Sequence, residues 1–407
     1  MRNTIDLGEV PAFNWSVLRG EEHFLYRRIA DQDRAVLSIG VKEHVALPVF
    51  DATGKSLDWT CGALRYEWKD ALFNGVAVEE DQVQWWIPNM VLEWIGKKAF
   101  MHVPPKEAEQ AREWAEAAFR HQPHEPTTGA PLEWHHHTTK AAYIENVRHL
   151  LDHIQRGDIY EVNYCTTRTT NAPDFDPFTA FATLLSRSQA PFAAFYRNGD
   201  RFALCASPER YLAFNGRRVI GEPMKGTRPR YADPEMDRHA AAELAADPKE
   251  RSENIMALDV MRHDLSRIAA SRSVRVEELC AVRSYPRVHQ LVSTVSAEMR
   301  ADVSPLDVLR ASFPMASMTG APKIRAMELI QDVESGPRGS FSGSLGFFAP
   351  DGTGDFNVVI RTVLFDAKNG SLSLTTGSAV TAQCDAESEY EECQVKARSV
   401  IEALHHA

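Results

Sequence analysis

Several widespread kinds of enzyme site are missing from this sequence of 407 residues. It contains neither of the glycine-rich phosphate motifs, G-x-x-x-x-G-K-[ST] and G-x-G-x-x-G, whose backbone amides hold nucleotide phosphates. The G-x-S-x-G turn that presents the nucleophilic serine of many hydrolases is absent as well. The sequence therefore gives no support for a P-loop nucleotide hydrolase, a dinucleotide-dependent oxidoreductase or a serine hydrolase of that kind.

Signals for disulfides, structural metals and membranes are also scarce. The six cysteines are scattered without a C-x-x-C pair, which argues against a zinc site or a disulfide framework and fits a reducing compartment. No apolar run approaches the roughly 18 residues of a membrane span. The first residues lack the apolar core of a signal peptide. We therefore expect a cytoplasmic protein.

Positive charge is in short supply, because 45 Lys and Arg residues stand against 56 Asp and Glu residues, for a net charge of −11. A chain with this balance is not expected to bind nucleic acids or anionic membranes in general. If the substrate is an anion, the positive charge that binds it must be gathered locally.

The secondary-structure pattern mixes helices and strands without strict alternation, which favours an α+β fold over a doubly wound sheet. Short tryptophan-rich strands occupy the N-terminal part, and 121–131 has the composition of a linker. We expect a sheet-forming region at 1–125 and a second region at 140–404 that carries the candidate site.

Cationic side chains do gather in the segment 221–230, GEPMKGTRPR, at Lys225, Arg228 and Arg230. Its prolines and glycine restrict and redirect the backbone, so we expect a rigid loop that presents these side chains. The two arginines, or a magnesium ion, would disfavour the charged form of Lys225 and free its amine as a nucleophile. The alternative is that Lys225 remains a cationic contact for a carboxylate or phosphate.

Carboxylates follow on two predicted helices. The helix at 248–271 carries Glu253, and the last helix, 386–404, carries Glu389, Glu392 and Lys396 on one face at i, i+3 and i+7. Magnesium binds through one or two protein carboxylates, several waters and an anionic substrate group. Glu253 and Glu392 can supply the two carboxylates if the two helices meet. Otherwise they are charged residues on the solvent-facing sides of their helices.

Three further positions are candidates for substrate chemistry. Glu209 follows a turn at a strand end and can act as a general acid if desolvation raises its pKa. His289 can donate a hydrogen bond to a hydroxyl group. The segment Gly377-Ser378-Ala379 lies between a strand and the last helix, and its backbone N–H groups can bind a carboxylate. Each position has a plain alternative as a surface or packing residue.

Taken together, these segments resemble the chorismate-utilising enzymes. The matching pieces occur in one order over about two-thirds of the chain, and they are Gly157–Asn163 (GDIYEVN), Ala206–Arg210 (ASPER), Pro223–Arg230 (PMKGTRPR), Arg251–Asn254 (RSEN), Tyr285–His289 (YPRVH), Thr319–Lys323 (TGAPK), Asn357–Thr362 (NVVIRT) and Glu389–Glu392 (EYEE) with Lys396. The resemblance implies an interwoven, β-sandwich-like core of two sheets with helices packed outside.

The resemblance also implies roles for individual residues. Lys225 would be the nucleophile, Glu209 the general acid, and Glu253 and Glu392 the ligands of Mg²⁺. Contacts to the substrate would come from seven positions: Thr227, His289, Thr319, Arg361, Gly377, Ser378 and Lys396.

The residue at position 225 separates the branches of the family. Lysine there is similar to the aminodeoxychorismate synthase branch, component I, whereas anthranilate and isochorismate synthases usually have alanine. The implied reaction joins chorismate and ammonia into 4-amino-4-deoxychorismate, the precursor of p-aminobenzoate and folate. Because no G-x-C-x-G glutaminase turn is present, ammonia would come from a separate glutamine amidotransferase subunit. The alternatives are anthranilate synthase component I and a non-catalytic chorismate-binding partner.

Overall fold

The computed structural model describes residues 2–79, 81–120 and 132–405. The predicted linker at 121–131 therefore lies outside the described residues. The α-helices in the described ranges are α1 Trp68–Asn74, α2 Ala108–Ala118, α3 Lys140–Arg156, α4 Pro177–Ser188, α5 Pro234–Ala246, α6 Pro248–Ser266, α7 Pro305–Ser312, α8 Lys323–Val333 and α9 Ala386–His405.

The strands are numbered in chain order. They are β1 Asn3–Glu9, β2 His23–Ile29, β3 Arg34–Ile39, β4 Glu43–Val45, β5 Thr60–Leu64, β6 Val83–Ile87, β7 Met90–Ile95, β8 Lys98–Val103, β9 His135–His136, β10 Glu161–Asn171, β11 Ala194–Asn198, β12 Arg201–Cys205, β13 Arg210–Asn215, β14 Arg218–Gly221, β15 Met224–Pro229, β16 Arg275–Ser284, β17 Val288–Glu298, β18 Gly320–Ala321, β19 Ser344–Phe348, β20 Thr353–Asn357, β21 Thr362–Asp366 and β22 Ser371–Thr381.

These strands form two large sheets. The first has 12 strands in the order β1-β8-β7-β3-β2-β11-β12-β21-β22-β10-β18, with β9 paired to β10. The second has 10 strands in the order β15-β17-β14-β13-β20-β19-β5-β6-β4, with β16 paired to β17. Both sheets combine strands from the first hundred residues with strands from far along the chain, so the α+β fold with two interwoven sheets is confirmed. The division at 1–125 and 140–404 is retained as a proposal.

Strand alternation explains where the core lies. Along β2, Phe24 and Tyr26 pack into a cluster with helices α2, α4 and α9 on the outer face of the first sheet. Leu25, between them, points to the other face and packs with Cys61 and Phe347 of the second sheet. Successive strand residues face opposite sides of a sheet, so one layer of apolar side chains lies between the sheets and another lies under the helices.

The two helices that carry the predicted carboxylates begin where the sequence indicates. The Asp247 side chain accepts hydrogen bonds from the first backbone amides of α6, and Asp385 does the same for Ser388 in α9. Such caps satisfy amides that have no partner within the helix. Helix α6 ends at Ser266, earlier than the predicted 271. None of the described helices has the length and apolar character needed to span a membrane.

Candidate active site

A cavity of about 410 Å³ lies where α6, α9, β15 and β22 come together. Five acidic side chains and five basic ones line it. The lining also includes eight of the residues selected from the sequence. Those eight are Glu209, Lys225, Thr227, Glu253, Arg361, Gly377, Glu392 and Lys396. These eight residues are separated by up to 187 positions in the chain, from Glu209 to Lys396.

Lys225 reaches the cavity from a strand rather than from a loop. The predicted rigid loop is wrong, because Met224–Pro229 forms β15, an edge strand that pairs with β17 and is interrupted at Gly226. Gly226 has a φ of +79°, which lets the strand shift register at that point. An edge strand tolerates proline because one side of it makes no ladder hydrogen bonds. The strand fixes the direction of the Lys225 side chain.

Of the two charge states left open for Lys225, its surroundings in this structure favour the charged one. Its Nζ lies 2.6 Å from Glu161 Oε1, and the two side chains are only 11% and 4% exposed. Burial opposes the charge on Lys225, but Glu161, Glu253 and Glu209 outweigh burial and hold the pKa of the amine above its ordinary value. Lys225 is therefore an ammonium ion here.

The arginines that were expected to lower this pKa are engaged elsewhere. Arg228 lies 2.7 Å from Asp247, and Arg230 lies 2.9 Å from Asp237. Each cation is neutralised by a carboxylate in or beside helix α5, so neither acts on Lys225 as an uncompensated charge. The sequence showed the three cations close together but not the partners that separate them.

Glu209 is held in a turn between β12 and β13. Ser207 and Val358 anchor this turn, since the Ser207 hydroxyl donates to the Val358 carbonyl at 2.6 Å and the Val358 amide donates to the Glu209 carbonyl at 3.1 Å. The Glu209 side chain lies at the cavity wall, and the residue is 4% exposed. Burial raises the pKa of Glu209 to about 7, against the opposing effect of the Lys225 charge. A carboxyl group with this pKa can carry a proton near neutral pH.

Helices α6 and α9 present their carboxylates to the same cavity, as the helical spacing suggested. Lys249 of α6 bridges them, because its Nζ lies 3.0 Å from Glu389 and 3.9 Å from Glu253. On α9, Glu392 forms an ion pair of 2.6 Å with Lys396. Burial acts to raise the pKa of Glu392, but Lys396 outweighs it and leaves the pKa lowered. Glu392 is therefore ionised at neutral pH.

Glu253 has room for a closer cation than Lys249, whose Nζ comes no nearer than 3.9 Å to the Glu253 Oε1. Its Oε1 is buried and has no hydrogen-bond partner, and burial raises the pKa of Glu253 to about 7. A buried carboxylate oxygen without a partner is costly unless a cation or a proton meets it. No group of three or more His, Cys, Asp or Glu in the described ranges is arranged to hold a metal. Two carboxylates with waters and an anionic ligand nevertheless fit the preference of Mg²⁺.

Two further cationic side chains, Arg361 and Lys396, line the cavity. Arg361 donates to Ser399 at 2.8 Å, and Lys396 donates to the Gly377 carbonyl at 2.9 Å. The segment at Gly377, which was expected to lie between a strand and the last helix, is in fact part of β22, which pairs with β10 along its whole length. Pairing of β22 with β21 ends at Leu374, so its later residues leave one edge facing the cavity. Cations beside an unpaired strand edge can bind carboxylates.

Three residues selected from the sequence are not brought into the cavity lining. Both ring nitrogens of His289 are engaged, by Ser284 at 2.8 Å and Asp237 at 2.9 Å. The Thr319 hydroxyl donates to the Met315 carbonyl at 3.0 Å. The Ser378 hydroxyl bonds to Tyr143 at 2.7 Å, away from the cavity. In each case a protein partner uses the group that was expected to contact the substrate.

Sequence reasoning missed Gln290, Asn163 and Lys249, which line the cavity. Gln290 lies beside His289 on β17, and neighbouring strand residues face opposite sides. Its Oε1 is buried without a hydrogen-bond partner, so Gln290 presents a free acceptor to the cavity where His289 was expected to supply a donor. The pairing of Thr227 with Gln290 in the register of β15 and β17 decides this orientation, and the sequence contains no signal for that register.

Comparison with known proteins gives relatives of two related activities. Aminodeoxychorismate synthase of Streptomyces griseus is 43% identical over 283 residues, covering 69% of this chain and 38% of that protein. Anthranilate synthase component 1 of Thermus thermophilus is 38% identical over 310 residues, covering 74% and 66%. Aminodeoxychorismate synthase component 1 of Escherichia coli is 37% identical over 272 residues, covering 67% and 59%. The matched region thus spans less than two thirds of the length of these relatives.

Solved structures share the fold along nearly the whole chain. Anthranilate synthase component I from Streptococcus pneumoniae superposes with a TM-score of 0.74 at 22% identity, covering 98% of this chain and 92% of that one. MenF, the menaquinone-specific isochorismate synthase from Escherichia coli, gives a TM-score of 0.77 at 18% identity, covering 100% and 95%.

The family model described as chorismate binding enzyme matches residues 25–402. That range contains every residue that lines the cavity, from Asn163 to Lys396, as well as strands of both sheets. The match therefore covers the fold and the site together, and the chain belongs to the family of chorismate binding enzymes.

Proposed function

We propose that this protein is an aminodeoxychorismate synthase, component I, which converts chorismate and ammonia into 4-amino-4-deoxychorismate. The observation that carries the proposal is the position of Lys225, whose amine lies in the cavity wall together with Glu209. Lysine at this position is the feature by which the chain resembles the aminodeoxychorismate synthase branch. Two of the relatives described above bear that name, which supports the same choice.

The substrate is held by charge in this proposal. Chorismate carries two carboxylates, and the cavity offers Arg361 and Lys396 beside the free edge of β22. Glu253 and Glu392 on the facing helices would hold Mg²⁺, which when bound would neutralise and orient a substrate carboxylate. The two positive charges of the cation would match the two negative charges of the substrate.

In the reaction, Lys225 acts as the nucleophile and Glu209 acts as the general acid. The neutral amine of Lys225 forms a bond to C2 of the ring while the bond from C4 to its hydroxyl oxygen breaks. Glu209, which is protonated near neutral pH because burial raises its pKa to about 7, gives its proton to the departing hydroxyl and releases water. Ammonia then bonds to C4 as the bond between C2 and Lys225 breaks. The enolpyruvyl group stays on the product.

Ammonia reaches the site, in this proposal, from a separate glutamine amidotransferase subunit. The sequence has no G-x-C-x-G turn of a glutaminase. All six cysteines are free thiols, and five of them are buried, which does not favour a cysteine nucleophile within the described chain. We infer that the chain acts as the ammonia-using component, in a folate-forming pathway. The expected cytoplasmic location stays a prediction.

Product analysis tests the proposed function. The purified chain is incubated with chorismate, MgCl₂ and an ammonium salt, and the products are identified by liquid chromatography and mass spectrometry. We expect 4-amino-4-deoxychorismate without an equivalent of pyruvate, and no turnover when glutamine replaces the ammonium salt. Anthranilate with stoichiometric pyruvate would assign the chain to anthranilate synthase instead, the activity named for the Thermus thermophilus relative. Bound but unconverted chorismate would favour a non-catalytic binding partner.

Magnesium dependence is a separate prediction that follows from the orphaned oxygen of Glu253. Chelation should abolish turnover, and added MgCl₂ should restore it. The Glu253→Gln variant should need at least about tenfold more Mg²⁺ for half-maximal activity, since even outer partners of a ligand change metal affinity by about 10–100-fold. The midpoint of thermal unfolding with chorismate should rise with Mg²⁺ in the wild type and much less in Glu253→Gln.

The control for this prediction is Glu391→Gln. Glu391 lies on α9 next to Glu392, but its side chain is 60% exposed and pairs with Lys140. This variant should keep the Mg²⁺ response of the wild type. An unchanged response in Glu253→Gln would exclude Glu253 as a ligand.

A further inference from the structure

The proposed chemistry leaves one requirement unmet, because Lys225 is protonated in this structure. An ammonium ion has no lone pair and cannot attack carbon. Some group must accept its proton before the bond to C2 forms, and that group must lie within hydrogen-bond reach of Nζ. The groups that can accept it are the acidic side chains that surround Lys225.

Four carboxylates act on Lys225, each from a different element. Glu161 begins β10, Glu209 follows β12, Glu253 lies on α6 and Glu392 lies on α9. Glu161 Oε1 is 2.6 Å from the nitrogen, whereas no ion pair within 4.0 Å joins Lys225 to the other three among the described residues. Geometry therefore singles out Glu161.

The other three carboxylates also have different tasks. Glu209 must begin the cycle with a proton in order to give it to the hydroxyl that leaves. Glu253 and Glu392 need their lone pairs for a cation. Glu161 has neither task, and it is not part of the cavity lining, so it lies behind Lys225 rather than against the substrate.

We propose that Glu161 is the catalytic base that removes a proton from Lys225 and later returns it. In the first step the proton moves from Nζ to Glu161 Oε1, and the freed amine attacks C2 as described above. When ammonia displaces the lysine, the amine leaves with its electron pair and takes the proton back from Glu161. The protonated amino group of the product gives a proton to Glu209. The cycle consumes chorismate and ammonia, releases water, and restores both glutamates.

This inference rests on the proposed function, and the fold provides the arrangement it needs. Glu161 pairs with Thr381 of β22 on one side and with Ala321 of β18 on the other, so its backbone is held by two strands. The residue is 3% exposed. Water therefore does not compete for the proton, and the transfer occurs over one short hydrogen bond.

The decisive experiment measures the reactivity of Lys225 and the turnover of the enzyme in the same variant. Glu161→Gln keeps the shape of the side chain but cannot accept the proton. Competitive acetylation with acetic anhydride, read by peptide mass spectrometry at pH 8, reports how much of Lys225 is a free amine. We expect Lys225 to be acetylated at least tenfold faster in Glu161→Gln, because the carboxylate that stabilises its charge is gone. Amination should nevertheless fall at least 100-fold in kcat/KM, because glutamine at this position holds no proton to return to the amine when ammonia displaces it.

Faster acetylation together with slower amination distinguishes a Glu161 that acts as a base from one that only holds Lys225 in its charged form. If Glu161 only holds Lys225 in its charged form, both acetylation and amination will increase, and the proposal is overturned. Unchanged amination or unchanged acetylation overturns it as well. Glu161→Asp, which keeps a carboxylate at a greater distance, should recover part of the turnover and guards against loss of folding in the glutamine variant.

Two comparisons separate this inference from the proposed function. Glu391→Gln, on the exposed face of α9, should change neither acetylation of Lys225 nor turnover. If the product is anthranilate, or if Lys225→Ala remains active, the proposed function fails. The acetylation rates will still show whether Glu161 and Lys225 share a proton.

Discussion

Amination of chorismate should fall by at least about 10³-fold in kcat when Lys225 is replaced by alanine, because the reaction loses its nucleophile. Substrate binding should change much less, since Arg361 and Lys396 in the cavity lining are retained. Steady-state kinetics with chorismate and a fixed concentration of ammonium salt measure both quantities. A large change in kcat with a small change in KM is the pattern expected for a group that acts in the transition state.

The Lys225→Ala variant also leaves a buried charge without its partner. Breaking a buried ion pair from one side costs about 3–5 kcal/mol, and Glu161 is only 3% exposed. A double variant, Lys225→Met with Glu161→Gln, removes both charges and should be as inactive as Lys225→Ala but more stable. Lys98→Ala, at an exposed position of β8, is the matched control and should behave as the wild type. Full activity in Lys225→Ala would remove the lysine from the mechanism.

A loss of about 10²–10⁴-fold in kcat/KM is expected when Glu209 is replaced by glutamine, the usual range for a missing general acid. Glutamine fills nearly the same space but cannot release a proton to the departing hydroxyl. Glu209 is buried and flanked by anchored backbone, so the substitution tests its acidity rather than its packing. Glu387→Gln, 69% exposed on α9, is the control.

The pH dependence of kcat/KM in the wild type is an independent test of Glu209 as the general acid. Burial raises the pKa of Glu209 from 4.5 to about 7, so its proton is present below that pH and is lost as the pH rises through about 7. With the concentration of free ammonia held constant, kcat/KM should show a descending limb near pH 7 that is missing in Glu209→Gln. If the descending limb persists unchanged in Glu209→Gln, it reports the titration of another group.

Local patterns predicted the helical part of the site. The spacing of Glu389, Glu392 and Lys396 is a property of one helix, and all three do line the cavity from α9. Glu253 reaches it from α6 for the same reason. Helical periodicity could not show that the two helices meet, and the resemblance to known enzymes supplied that expectation. The same resemblance indicated the two-sheet fold.

Register between distant strands could not be predicted in the same way. A shift of one residue along β17 exchanges His289 for Gln290 at the cavity, since neighbouring residues of a strand face opposite sides. The segment around Lys225 looked like a loop because its prolines and glycine are rare in central strands, yet they are acceptable in an edge strand. The partner strand, β17, lies about sixty positions further along the chain.

The expectation that the pKa of Lys225 would be lowered failed for a related reason. Arg228 and Arg230 are close to Lys225 in sequence, and sequence proximity suggested that they would lower its pKa. The actual neighbours of the amine include Glu161, 64 positions away, and their charges act in the opposite direction. The pKa of a buried group depends on which distant charges the fold brings to it.

The central claim is that the amine of Lys225 bonds to the ring of chorismate, and trapping that bond tests it most directly. The protein is mixed with chorismate and MgCl₂ without ammonia, quenched, digested and analysed by mass spectrometry. We predict a peptide containing Lys225 that is heavier by chorismate less one water, absent from Lys225→Ala and discharged when ammonium salt is added. Formation of aminated product without any such adduct, or with the adduct on another residue, would contradict the account.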